Sequence, residues 1–294
     1  MEKPACWLKV SPVPNSSFFP RCRAVVVTAS LLCTGHCLAD AVPGGIHVQP
    51  MSDHVAWVSY DGRPVLMRAG KAYIGINIAA HPGRHQAQIH GETVTRGETV
   101  TRGESSTIVN FEVTAKTYPE QHLTITNPKM VNPDPADLKR IESEAARMEQ
   151  VYLSFSAGPA PSRLDKPLNG RTSSPFGFRR VFNGEPRNPH SGLDLAAPTG
   201  TPIKSPAPGT IALTGSFYFN GNSVFVDHGQ GLISMVCHLS EIKVREGSLV
   251  QAGDILGLVG ATGRATGPHL HWSVSMNGNR VDPVLAMEVL ARPD

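Results

Sequence analysis

Between Asp134 and Phe155 the chain reads DPADLKRIESEAARMEQVYLSF, and Leu138, Ile141, Ala145, Met148 and Tyr152 recur there at intervals of three and four. That period puts them on one face of a helix. Asp134 is a good N-cap and Pro135 suits the first helical position. The stretch predicts an amphipathic helix of about five turns whose stripe packs on a sheet. On either side the pattern changes to short β-prone runs broken by the chain's 28 glycines and 25 prolines. A chain of 294 residues is long for one domain. The expectation is therefore an all-β protein of two parts joined by this helix.

Residues 40–131 form the first part. VAWVSYDG, YIGINIA, QAQIHGETV, STIVNFEVTAK and HLTIT are its candidate strands, separated by turns such as Asp61-Gly62 and Pro82-Gly83. An immunoglobulin-like β-sandwich is the natural expectation. GETVTRGETVTRGES, starting at Gly91, contains a six-residue duplication. Six is even, so a strand lengthened this way keeps its inner and outer faces, and the segment reads as an extended hairpin tip. The helix and a Pro/Gly-rich linker fill 132–172, and a second strand-rich part occupies 173–294.

The first 39 residues read as a secretory signal with a long basic leader. AVVVTASLLCTGHCLA, residues 24–39, is an apolar run behind Arg21 and Arg23 that ends in a small-residue cut point. It is short for a membrane span. The leader holds Lys3, Lys9, Arg21 and Arg23 against Glu2, a net +3 that equals the formal charge of the whole chain. The remainder is then near neutral, which argues against a nucleic-acid partner. Cys6, Cys22, Cys33 and Cys37 also lie in the leader. Cys237 is left alone, so no internal disulfide is expected. Neither Cys33 nor Cys37 has leucine three positions before it, so a lipid anchor is not indicated.

The second part carries the chemistry-bearing residues. His190 and Asp194 stand in HSGLD, His238 in CHLS, and His269 and His271 in GPHLHWSV. Read as a strand, HLHWSV turns His269 and His271 to one side, roughly 6–7 Å apart, and Leu270 and Trp272 to the other. His-x-His on a strand and His-x-x-x-Asp on a turn are each weak signals alone. Together in one short domain they suggest a metal site of imidazole nitrogen and carboxylate oxygen, a donor set that suits zinc. Spacing leaves open whether one or both of His269 and His271 bind metal. His228, in VFVDHG, reads as a turn or packing histidine. Strand alternation points Cys237 away from His238, as a buried hydrophobe. GLVGATGRATG lacks the lysine and helix of a phosphate loop and reads as the turn feeding the His-x-His strand. No HExxH occurs, which removes the helix-based zinc proteases.

SSPFGFRR, HSGLDLAAPTGTPIKSPAPGTI, GNSVFVDHGQGLISMVCHLS and GDILGLVGATGRATGPHLHW resemble the signature blocks of the lysostaphin/LytM-type zinc endopeptidases that cut peptidoglycan peptides. The resemblance implies a lysostaphin-type antiparallel β catalytic domain over 173–294. It implies zinc ligands His190, Asp194 and His271 and catalytic histidines His238 and His269. A tyrosine that some relatives place near the first ligand to help the oxyanion has no counterpart, because no tyrosine lies between Tyr152 and Tyr218. The implied function is a zinc metalloendopeptidase, exported to the periplasm or cell envelope, hydrolysing peptide cross-links such as D-alanyl–meso-diaminopimelate. Its partners would be peptidoglycan peptides, envelope proteins besides, and no stable membrane span. The first part resembles, more weakly, β-sandwich modules that precede this domain in Gram-negative envelope proteins. The alternatives are a non-enzymatic activator of cell-wall amidases, which would have lost ligands, and a structural zinc module, which would close the site with a fourth ligand.

Overall fold

The structure, a computed structural model, describes residues 41–52, 55–92 and 104–292. The proposed leader and residues 93–103 of the duplicated segment lie outside them. The arms of that segment are described and pair antiparallel, Gly83–Glu92 with Glu104–Val113, up to Glu92 opposite Glu104. Among the described residues no helix is long and apolar enough to cross a membrane.

The chain before the helix builds two small sheets. Ile46–Pro50, Lys71–Gly75 and Leu66–Arg68 form one, and Arg63–Pro64, Val55–Tyr60, Gly83–Glu92 and Glu104–Val113 the other. Val58, Tyr60 and Phe111 of the second sheet share a core with Ala72 and Ile74 of the first. Tyr73, between those two, turns to the opposite face, as the period of a strand requires. There it joins Ile46 and Leu66 in a second core with Trp272, Val274 and Met276. The Lys71–Gly75 strand is therefore covered on both faces, once by its own half of the chain and once by the other. Asn277-Gly278, with φ of 43° and 80°, closes a tight hairpin of the kind that needs positive φ at both positions. The Asn277 carboxamide accepts from Gly75 N at 2.7 Å and donates to Gly75 O at 3.0 Å. A Cβ on Gly75 would lie 2.8 Å from the Met276 carbonyl, so this contact requires glycine.

After the helix, one antiparallel sheet dominates, in the order Leu249–Val250, Gly209–Phe217, Gly221–Asp227, Ile233–Leu239, His269–Met276, Leu193–Ala196, Arg171–Ser174. The helix α1, Pro135–Tyr152, opens at the expected proline and has the expected length of about five turns. Tyr152 packs edge-on against Phe225 in a cluster that Met148 and Val151 flank. The N-terminal end of the stripe is open, with Leu138 45% exposed. Asp134 makes no side-chain cap bond; its carboxylate pairs with Lys129 Nζ at 2.6 Å instead.

Two elements depart from the expectation. HLTIT does not join the N-terminal sheets. Glu120–Leu123 instead runs parallel to Arg179–Phe182 in the second half. A second helix, α2, spans Pro283–Leu290, with Asp282 Oδ1 accepting from Val284 N at 3.0 Å.

Candidate metal centre

One row across the large sheet sets the site. Ser174 stands opposite Asp194, Asp194 opposite His271, and His271 opposite Cys237. Residues directly opposite in antiparallel strands project to the same face, so the pairing alone brings Asp194 and His271 together. His190 arrives from the preceding loop. Its backbone is pinned at both ends, N to Phe178 O at 2.9 Å and O to Gly177 N at 2.8 Å. Gly192 lets the loop pass this close. A Cβ there would lie 2.5 Å from the Trp272 carbonyl and 2.7 Å from His271 Nε2. Gly192→Ala is expected to displace His271 and weaken zinc affinity about 10–100-fold, read by competition against a chelator. Unchanged affinity would mean the loop relaxes without cost.

His190 Nε2, His271 Nδ1 and Asp194 Oδ1 lie 2.8–3.0 Å from one another. The outer nitrogens decide what these inner atoms are. His190 Nδ1 donates to the Pro175 carbonyl at 2.7 Å. Ser273 Oγ donates to Ser191 O at 2.8 Å and so accepts from His271 Nε2 at 2.9 Å. Each neutral ring then presents a lone pair inward, where it meets a carboxylate oxygen. Three acceptors at this separation repel unless a cation or a proton lies among them. Two imidazoles and one carboxylate are the donor set of a catalytic zinc, so the residues fit that ion. Arg180 donates to Asp194 Oδ2 at 3.0 Å, holding the carboxylate from behind.

His238 and His269 extend the same logic. His238 Nδ1 donates to Thr262 O and His269 Nδ1 to Gly267 O, both at 2.8 Å. Their ring centroids are 4.9 Å apart, and His238 is 6.1 Å from His271. His269 Nε2 stands 3.9 Å from Asp194 Oδ1, outside the group of three. Burial, then the neighbouring His271 and His269, pushes the His238 pKa down to about 3. Burial likewise lowers His190 to about 4. Burial opposes ionisation of Asp194, but a proton held by His190 or His271 against Oδ1 outweighs it and holds the carboxyl well below its usual range.

The expected alternation between Cys237 and His238 does not hold. His238 has φ of 64°, and the register with Gly221–Asp227 slips between Asn222 and Val224. This β-bulge turns His238 to the face that Cys237 already shares with His271. Cys237 is nonetheless buried in the Phe225 and Met235 cluster, and burial raises its thiol pKa. It is a cleft-floor hydrophobe. His228 is a packing histidine, buried, with Nδ1 donating to Pro208 O at 2.8 Å. Residues 259–268 form the loop that delivers His269, with no helix after it.

All five residues singled out from the sequence line one cleft of about 470 Å³. Sequence reasoning missed Arg180, Ser273 and Gly192, whose signals are ordinary. It also missed the wall of the cleft built by Gln121, Leu123 and Ile125 from before the helix.

Three candidate ligands facing an open cleft are the arrangement of catalytic zinc centres rather than of closed structural ones. Similarity leads to the same class. Residues 188–283 match peptidase family M23. A crystal structure assigned to peptidase M23 from Pseudomonas aeruginosa is 42% identical, covers 84% of this chain and 95% of that one, and superposes with a TM-score of 0.67. The chain therefore belongs to peptidase family M23, a family of zinc metallopeptidases. The DD-carboxypeptidase/endopeptidase Mpg of Neisseria meningitidis is 43% identical over 114 residues, 39% of this chain and 26% of that protein. The peptidoglycan DD-endopeptidase ShyA of Vibrio cholerae is 39% identical over 139 residues, 47% of this chain and 31% of that protein. The chain thus spans about a quarter to a third of the length of these two relatives.

Proposed function

We propose that the protein is a zinc endopeptidase that hydrolyses D-alanyl–meso-diaminopimelate cross-links of peptidoglycan in the cell envelope. His190, Asp194 and His271 hold the zinc in this reading, and His238 and His269 act on the reacting groups. The observation that carries it is the convergence of three mutually facing acceptor atoms with two further imidazoles in one cleft.

Bound zinc supplies Lewis acidity toward the scissile carbonyl and lowers the pKa of water to about 7. The chain's own groups do the rest. Nε2 of one free histidine takes the proton of the attacking water and, as imidazolium, returns it to the departing amine, while the other ring assists the tetrahedral intermediate and donates from Nε2 only once a proton has been passed to it. Carbonyl acceptors at Thr262 and Gly267 keep both rings in the tautomer that leaves Nε2 inward. Tyr218 is no oxyanion helper, since its hydroxyl is tied to Lys129 O and Asp137. Residues 1–39 act as an export signal, 40–131 as an N-terminal β module, 132–172 as connector and 173–294 as the peptidase.

The test is digestion of purified peptidoglycan, with cross-linked muropeptides followed by mass spectrometry and zinc measured alongside. Loss of cross-linked dimers with wild type and not with His271→Ala supports the reading. A zinc-loaded protein that cleaves nothing would move it to the regulator of cell-wall amidases.

A further inference from the structure

Arg264 stands in the cleft without an anion. Its loop is clamped, with Arg264 N donating to Phe219 O at 2.8 Å and Thr262 Oγ1 to Leu239 O at 2.8 Å. The guanidinium lies 4.3 Å from the centroid of Phe219 and 4.9 Å from that of Phe182. Its hydrogen bond is to the Met130 carbonyl, at 3.2 Å. Among the described residues no carboxylate comes within ion-pair distance of it. Asp194 is the sole acidic residue among those lining the cleft, and it is engaged by His190, His271 and Arg180. Burial, then Arg180 and Arg187, lowers the Arg264 pKa to about 10. A mostly buried, fixed guanidinium with like charges around it is a site waiting for a counter-ion, and its planar fork matches a carboxylate.

The cross-link supplies such a group. Diaminopimelate has two amines and two carboxyls. In a cross-linked stem three of these are in amide bonds, and the carboxylate that remains is on the carbon bearing the scissile nitrogen. We propose that Arg264 binds this free carboxylate on the amine side of the scissile bond. The inference rests on the hydrolytic reading above and names the substrate group that its cleft recognises. Phe182 and Phe219 hold the guanidinium plane, and the Met130 carbonyl takes one of its N–H groups, leaving others for the substrate.

The test uses two synthetic cross-linked peptides, one with this carboxylate free and one with it amidated. Wild type is expected to favour the free acid by about 10–100-fold in kcat/KM, through KM, as suits a charge-assisted pair. Arg264→Gln should remove that preference with zinc content unchanged, and Arg264→Lys should restore part of it. Binding of both peptides to zinc-loaded His269→Ala, by calorimetry, reads the subsite without turnover and should show the same preference. Equal cleavage of acid and amide by wild type overturns the subsite and leaves the hydrolytic reading standing. Preferential binding without any cleavage does the reverse. An equal loss of kcat on both peptides in Arg264→Gln also overturns it, in favour of an oxyanion role.

Discussion

Asp194→Ala is expected to abolish zinc binding and hydrolysis together. Asp194 Oδ1 is shared by His190 and His271, and Oδ2 by Arg180. Its removal takes away a ligand, and also leaves the buried Arg180 guanidinium without its anion. Unpaired charge of that kind is costly when buried. Zinc content should fall from stoichiometric to near none. The rate should fall by at least about a thousandfold, since zinc contributes several kcal/mol to the transition state. Asp194→Asn keeps the shape without the charge and should recover packing but not turnover. Full zinc content in Asp194→Ala would place the metal elsewhere.

The second large effect separates from the first. His238→Ala and His269→Ala should keep zinc while losing about 10²–10⁴-fold in kcat, the range for a positioned acid or base. Neither ring belongs to the group of three ligand atoms, and each has its Nδ1 engaged by a carbonyl. Loss of zinc in either variant, or turnover within a few-fold of wild type, would break the division between ligand and catalytic histidines.

The site was readable where it depends on local spacing. His269 and His271 fall on one face because strands alternate, and Asp194 lies beside them through a pairing that HSGLD and HLHW make as neighbouring strands. The assignment of roles came from resemblance, since spacing alone allowed both to ligate. The bulge at His238 was not readable, because a non-glycine residue at φ of 64° has no signature in composition. Nor was the departure of Glu120–Leu123 to the other half of the chain. That strand's partner is about sixty residues away, and non-local pairing leaves no local pattern. α2 could have been found. Asp282-Pro283 repeats the Asp-Pro start of α1, but PVLAMEVL is too short and too apolar to show a period. The two-sheet N-terminal packing followed from alternation, whereas its strand order did not.

The Lys71–Gly75 strand, apolar on both faces, has a bearing on portability. A fragment cut in the linker near residue 160 would keep all five site residues. It would strip Ile46, Leu66 and Tyr73 from the core around Trp272 and Met276, and it would remove Gln121, Leu123 and Ile125 from the cleft. Such a fragment would inherit the chemistry and lose a bounding surface, exchanging a shaped groove for an open shelf. The transplantable unit for engineering is therefore longer than the stretch that marks the family, and begins before the first β-strand.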